Sequence, residues 1–292
     1  MCVAPRATSA SEPDMIDRRS RARRLIETEL PVLAIVVFAL APYLWLALTS
    51  IKPDADTTAF PVRYWPSAIT FEHYRLLLER TAFAGNVLNS LIIASGAASL
   101  GLAVSLPAAY AFSRFRFPGR RALLTQFLVI NMFPVVLLII PLFVLMRRFG
   151  LLDSFIGIVL GHATFAIPFA VWMLTSYMNA IPTELDEAAR IDGASRLQTL
   201  GLVLLPVVMP GVATTGIYIF VTSWNEYLFA MMLSGQQVRT VTVALQLFIG
   251  EFTVQWGLLT AGATLVALPV TILFLIVQKR LVSGLTAGAV KA

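Results

Sequence analysis

Six long apolar stretches alternate with short polar ones along the chain, near residues 30–50, 86–112, 122–146, 155–177, 203–223 and 257–277. A helix rising about 1.5 Å per residue crosses about 30 Å of hydrocarbon in each of them. None carries Asp, Glu, Lys or Arg, and His162 is the only residue inside them that titrates near neutrality. The pattern predicts an all-α integral membrane protein with six transmembrane helices. It divides into a tail over 1–29, a first span with an external segment over 30–85, a core bundle over 86–277, and a tail over 278–292. Residues 71–78 read as a short interfacial helix, and Phe117-Pro118-Gly119-Arg120 as a tight turn.

The polar loop over 178–202 breaks this rhythm. Thr183 is placed to cap a helix starting at Glu184, with Glu184, Asp186 and Glu187 in the first turn, where the helix dipole favours acids. Leu185, Ala188 and Ala189 share one side of it, and Arg190 takes another. Gly193 supplies the left-handed residue that ends such a helix, and Ser195 caps a second one leading to Pro206 and Pro210. The loop is a short two-helix hinge with small residues on its contact face.

Composition agrees with a bilayer environment: 58% of the 292 residues are hydrophobic, 13% are charged, and mean hydropathy is +0.80. The net charge of +6 is scattered over separate loops, which excludes a nucleic-acid surface. With six spans both termini share a side, and that side collects 15 of the 22 basic residues, including Arg114, Arg116, Arg120, Arg121, Arg190 and Arg196. Positive charge resists translocation, so that side is cytosolic in a bacterial cell membrane, where it meets membrane lipid. Arg147-Arg148 is a local exception. One cysteine and two histidines leave no metal site.

Prolines interrupt every span, at Pro31, Pro42, Pro107, Pro134, Pro141, Pro168, Pro206, Pro210 and Pro269, as bent helices around a pathway require. Gly157 and Gly161 form a G-x-x-x-G pair suited to close helix approach. Phe165, Phe169, Trp172 and Ser176 recur on one face of the fourth span, and Gly211, Thr215, Tyr218 and Thr222 on one face of the fifth. Asn131 is a polar group alone in the third span, and Asn225 and Glu226 open the external segment near 224–256. Asn131, Phe165, Phe169, Trp172, Tyr218, Thr222, Asn225 and Glu226 are the candidate pathway residues. Aromatic faces among hydroxyls and amides suit a sugar. Ser195 and His162 do not make a serine hydrolase, because one lies in a charged loop and the other within a span.

Glu187-Ala188-Ala189 with Gly193 four residues on, set before the fifth span, resembles the E-A-A loop of permease subunits in binding-protein-dependent ATP-binding-cassette importers. Trp224-Asn225-Glu226-Tyr227-Leu228-Phe229-Ala230 and the tail Gln278–Lys291 are similar to the six-span permease of the maltose-type carbohydrate branch. The resemblance implies a type I importer fold, with Glu184, Glu187, Ala188, Ala189, Asp192 and Gly193 coupling to an ATPase. It also implies the partners: a second homologous permease subunit, two cytosolic ABC ATPase subunits and an extracytoplasmic solute-binding protein. Leu200 and Gly201-Leu202 depart from the family pattern in the second loop helix. The three lysines, Lys52, Lys279 and Lys291, follow Ile51, Gln278 and Val290, so no Gly-Lys phosphate-binding loop exists. The chain is expected not to be an enzyme and to hold no cofactor of its own, ATP and magnesium residing on partner subunits. The alternative is a stand-alone, ion-coupled transporter of a small polar solute, which the absence of acids and bases from the spans disfavours.

Overall fold

The computed structural model describes the backbone of residues 25–289 and the side chains of residues 27–276. The polar tail over 1–24 and the side chains of the tail motif lie outside the described residues. Residues up to Leu46 and residues from Ala47 onward form two units. In the first, a π-helical turn at Leu25–Glu29 enters helix α1 (Leu30–Ser50), which contains Pro42. Apolar side chains are exposed on α1 over residues 30–45, Phe38 at 85%, the mark of a helix made for lipid or for another chain.

The second unit begins with the short helices α2 (Asp54–Thr57) and α3 (Glu72–Arg80), the latter where an interfacial helix is expected. Then come α4 (Phe83–Arg114), α5 (Arg120–Met132), α6 (Ile139–Arg148) and α7 (Phe155–Asn179). The polar loop carries α8 (Glu184–Ile191) and α9 (Arg196–Gln198), and a π turn at Thr199–Leu204 leads into α10 (Leu205–Trp224). Two short helices, α11 (Leu228–Leu233) and α12 (Val241–Gln246), precede α13 (Trp256–Ala289). Among the described residues no strand forms beyond a single bridge between Ile249 and Val254.

Among the described residues five helices are long and apolar enough to cross a bilayer, and a bent pair counts as a sixth if it is one span. That pair is the span expected over 122–146: Arg120–Met132 and Val135–Arg148 meet at 95°. Pro134 explains the break. It offers no N–H to the helix ladder, and Phe133 before it is extended (ψ 135°), as a residue preceding proline prefers.

α4, α7 and α10 pack together through small residues. Ala94, Ala97, Gly101, Ser105 and Ala109 form a buried stripe along α4. A Cβ on Gly101 would lie 2.7 Å from Ile219 Cδ1 of α10, and one on Gly211 of α10 would lie 2.5 Å from the Tyr177 ring of α7. Close approach gives dispersion contact where lipid tails remove the hydrophobic drive between helices. Of the G-x-x-x-G pair only Gly161 meets another span, with Leu142 of α6 3.8 Å from a Cβ placed on it. Gly161 faces Leu233 of the short α11, and Gly157 faces the carbonyl of Leu151 in the turn before its own helix.

That turn also anchors the loop opposite. The Asp153 carboxylate accepts N–H bonds from Gly235 (2.8 Å), Gln237 (3.1 Å) and Val238 (2.8 Å), and Asp153 N–H donates to Leu233 O at 2.8 Å. Burial alone would raise its pKa, but the N–H groups of Val238, Gln237, Gly235 and Gln236 outweigh burial and hold it below the ordinary carboxylate range. A folded-state pKa below the unfolded one gives stability that is complete above about pH 4 and fades as pH falls through the folded value. Asp153→Asn should therefore cost about 1–3 kcal/mol at neutral pH. Thermal unfolding in detergent should show the wild-type advantage at pH 7 and its disappearance in strong acid.

Candidate functional site

The loop between α7 and α10 is held from below by one arginine. Arg114, in the last turn of α4, donates from Nε to Asp186 Oδ2 at 2.8 Å, from Nη1 to Met178 O at 3.1 Å and from Nη2 to Ile181 O at 3.2 Å. The guanidinium thus reaches carbonyls at and just past the C-terminal end of α7, sharing Met178 O with the Ile181 N–H, while pairing an acid in the first turn of α8. Both side chains are buried, at 8% and 11% exposure. A buried guanidinium needs all its donors engaged, and the planar fork makes that feasible here. A second tie comes from Arg196 of α9, whose Cζ lies 4.6 Å over the Phe115 ring just past the end of α4. Phe115 in turn meets Tyr110 edge-on at 5.8 Å.

Within the loop, Gly193 has φ +83°. Ala194 N–H bonds back to Ala189 O at 2.9 Å and Gly193 N–H to Arg190 O at 3.1 Å, closing α8 in a Schellman turn. Ser195 caps α9 reciprocally with Gln198, as its position in the sequence predicts. Thr183 does not cap α8. Its backbone is already helical (φ −73°, ψ −18°), which aims the hydroxyl away, and its carbonyl receives Asp186 and Glu187 N–H instead.

The expected contact face is split. Ala189 lies three residues beyond Asp186 and turns inward with it, whereas Leu185, Ala188 and Ile191 follow one another at the same spacing on the outside. Ile191 is 86% exposed and Leu197 of α9 77%. Glu184, Glu187, Asp192 and Gly193 are exposed beside them. Leu200 and Leu204 sink into a cluster with Ala109, Leu174 and Met178, so the segment that departs from the family pattern is still seated on α4 and α7.

The pathway candidates do not share one surface. Phe169 lies 5.6 Å from Trp172 and 4.6 Å from Tyr218, ring centre to ring centre, so α7 and α10 together present a half-exposed aromatic row. Phe165 stacks on Phe229 of α11 at 4.6 Å. Thr222 is exposed near the end of α10, whereas Gly211 and Thr215 turn into the bundle. Asn131 and Asn225 each donate to a carbonyl of their own helix, Phe127 O and Val221 O, both at 2.9 Å.

Glu226 forms a knot with a residue that the sequence leaves unassigned. His162 Nδ1 is 2.7 Å from Ser223 Oγ, and Nε2 is 3.1 Å from Glu226 Oε2, close enough to pair although poorly directed for a hydrogen bond. Glu226 also accepts N–H bonds from Phe229 and Ala230, each at 2.9 Å, capping α11. Burial alone would raise the Glu226 carboxyl, but His162 and these two N–H groups hold it below its ordinary range. A polar side chain within a span implies a partner, which is the signal that points to this knot. The Arg114–Asp186 pair has no such signal, since its members lie 72 residues apart.

Comparison with known proteins gives a consistent picture. The family described as "Binding-protein-dependent transport system inner membrane component" matches residues 101–286. The sulfoquinovosyl glycerol transport system permease protein of Agrobacterium fabrum is 36% identical over 88% of this chain and 90% of its own. The trehalose transport system permease protein of Mycobacterium tuberculosis is 36% identical over 88% and 94%. Among solved structures, a chain of a bacterial ABC transporter involved in the import of the acidic polysaccharide alginate superposes with a TM-score of 0.75. It is 28% identical, over 89% of this chain and 98% of that one.

Removing Arg114 leaves Asp186 buried without its partner. Arg114→Ala should loosen the loop by about 3–5 kcal/mol. Hydrogen exchange should then speed up across residues 184–200 while the amides of the α4 core stay protected; uniform exchange would contradict the anchor.

Proposed function

The chain belongs to the binding-protein-dependent transport system inner membrane components, and on that premise we propose that it is one of two related permease subunits of an ATP-driven carbohydrate importer. Transport by a family permease replaces the stand-alone, ion-coupled alternative. In the proposed assembly two ATPase subunits, carrying ATP and magnesium, sit on the cytosolic side against α8. A solute-binding protein delivers cargo to the opposite face. The termini and the α8 loop share the cytosolic side, as the distribution of basic residues suggests.

One observation carries the coupling role: α8 offers an exposed apolar edge of Leu185, Ala188 and Ile191 while its other side is locked to α4 and α7 through Asp186 and Arg114. A partner pushing on that edge would move spans rather than bend a loop. ATP binding draws the ATPase subunits together and carries the two permeases from inward- to outward-facing; hydrolysis resets them. The partner must prefer one conformer for any work to pass. Sugar cargo is supported by the names of the relatives and by the aromatic row of Phe169, Trp172 and Tyr218, half-exposed as one wall of a shared path would be.

The test places a charge on the proposed docking edge. Ile191→Asp should lower uptake of the sugar that stabilises the cognate receptor in a thermal-shift screen by at least about tenfold, the equivalent of about 1.4 kcal/mol. Sugar binding by the receptor should not change. Gly193→Val, which forces a β-branched residue into the left-handed region, should act the same way. Wild-type uptake in both variants would refute docking through α8.

A further inference from the structure

The external segment after α10 is tied down at more places than a connecting loop requires. Val241 N–H donates to the buried Ser90 Oγ of α4 at 2.8 Å, and Asn89 Nδ2 donates to Arg239 O at 3.1 Å. Asp153 holds residues 235–238, as described above. The remaining tie, Glu226, is different in kind. Its carboxylate reaches His162 of α7, caps α11 through Phe229 and Ala230, and its carbonyl accepts from Thr242 Oγ1 of α12 at 2.8 Å. Three elements therefore meet at one residue. His162, 1% exposed at the side chain, bonds Ser223 through Nδ1 and faces Glu226 with Nε2 at 3.1 Å.

The cost of this arrangement indicates a role. An imidazole buried within a span is expensive, and such a group, here facing a carboxylate just past the end of the next span, persists where transport uses it. Their position is informative. Glu226 orients the first turn of α11, and that turn carries Phe229, which is 1% exposed and stacks on Phe165 at 4.6 Å with the planes 22° apart. Phe165 is the outermost member of the α7 row that continues through Phe169 and Trp172 to Ser176. The Phe165–Phe229 stack thus lies at the end of that row farthest from the α8 loop.

We propose, within the importer reading above, that His162 and Glu226 are positioning residues for transport, seating Phe229 on Phe165 so that the outer end of the path stays shut. Neither touches cargo in this role. The seal holds as long as α11 is docked on α7, and outward opening requires the His162–Glu226 contact to part. A buried polar contact suits this task. It is strong while dry and weakens once water reaches it, so it favours two discrete arrangements over a continuum.

The experiment uses the assembled transporter in right-side-out vesicles, with Cys2→Ser as parent and Ser176→Cys as reporter. Ser176 is exposed on the row, inward of the proposed seal. A charged, membrane-impermeant methanethiosulfonate is added outside, without nucleotide. The parent carrying the reporter should label slowly, and Glu226→Ala should raise the rate at least about tenfold. Glu226→Gln, which keeps one acceptor oxygen for the α11 cap and puts an N–H donor towards His162 in place of the other, should label more slowly than Glu226→Ala. If Glu226→Ala does not assemble, His162→Ala serves in its place, because it leaves the α11 cap intact. Unchanged labelling in an assembled Ala variant overturns the seal. Sugar uptake by the Cys2→Ser parent is measured alongside: its absence removes the importer reading, whereas its presence with unchanged labelling removes only the role given to His162 and Glu226.

Discussion

Arg114 is the constraint on which the rest of the molecule turns. It joins three elements: the end of α4, the end of α7 and the start of α8. Each contact is also the one that the local helix dipoles favour, with a cation at two C-termini and an acid at an N-terminus. The polar loop is consequently an extension of the bundle. The Arg196–Phe115 contact and the burial of Leu200 and Leu204 repeat the attachment on the other side of the loop. The bundle is stiff where it must transmit force, because α4, α7 and α10 approach closely through Gly101 and Gly211.

The opposite end of the second unit follows the same logic with other residues. There a carboxylate, Asp153, gathers backbone N–H groups from the 235–238 turn, and another, Glu226, caps α11 and meets His162. Both ends are fixed by a few buried polar contacts, and the middle is filled by small and apolar side chains. Exposed apolar surface remains on α1 and on the broken pair α5 and α6, with Ile140 71% exposed. Such surface belongs to lipid or to neighbouring subunits.

Much of this was legible from the chain alone, because it rests on local chemistry. The apolar runs mark the spans, Gly193 and Ser195 mark the loop turns, and the Glu187-Ala188-Ala189 motif marks the family, which the match over residues 101–286 bears out. The 95° break was hidden because Pro134 reads like the prolines at 42, 107, 168, 210 and 269, which sit inside continuous helices. A helix tolerates proline when packing supplies the lost contact, and packing is not written in periodicity. The Asp186–Arg114 pair was hidden for the same reason, whereas His162 inside a span signals a partner without naming Glu226. Each residue has an adequate local role, as a first-turn acid, a topology-setting base or an isolated span residue, and the pairing appears only after the chain folds.

The central claim is that the polar loop moves with α4 as one body because Arg114 binds them. Spin labels at Ala188 and Arg116 of this chain, compared with labels at the loops of both permease subunits, test it most directly by electron paramagnetic resonance distances. Between nucleotide-free and ATP-bound assemblies, the account predicts an unchanged separation within this chain and a shorter one between the two loops. A change between Ala188 and Arg116, with the two loops as far apart as before, would contradict it.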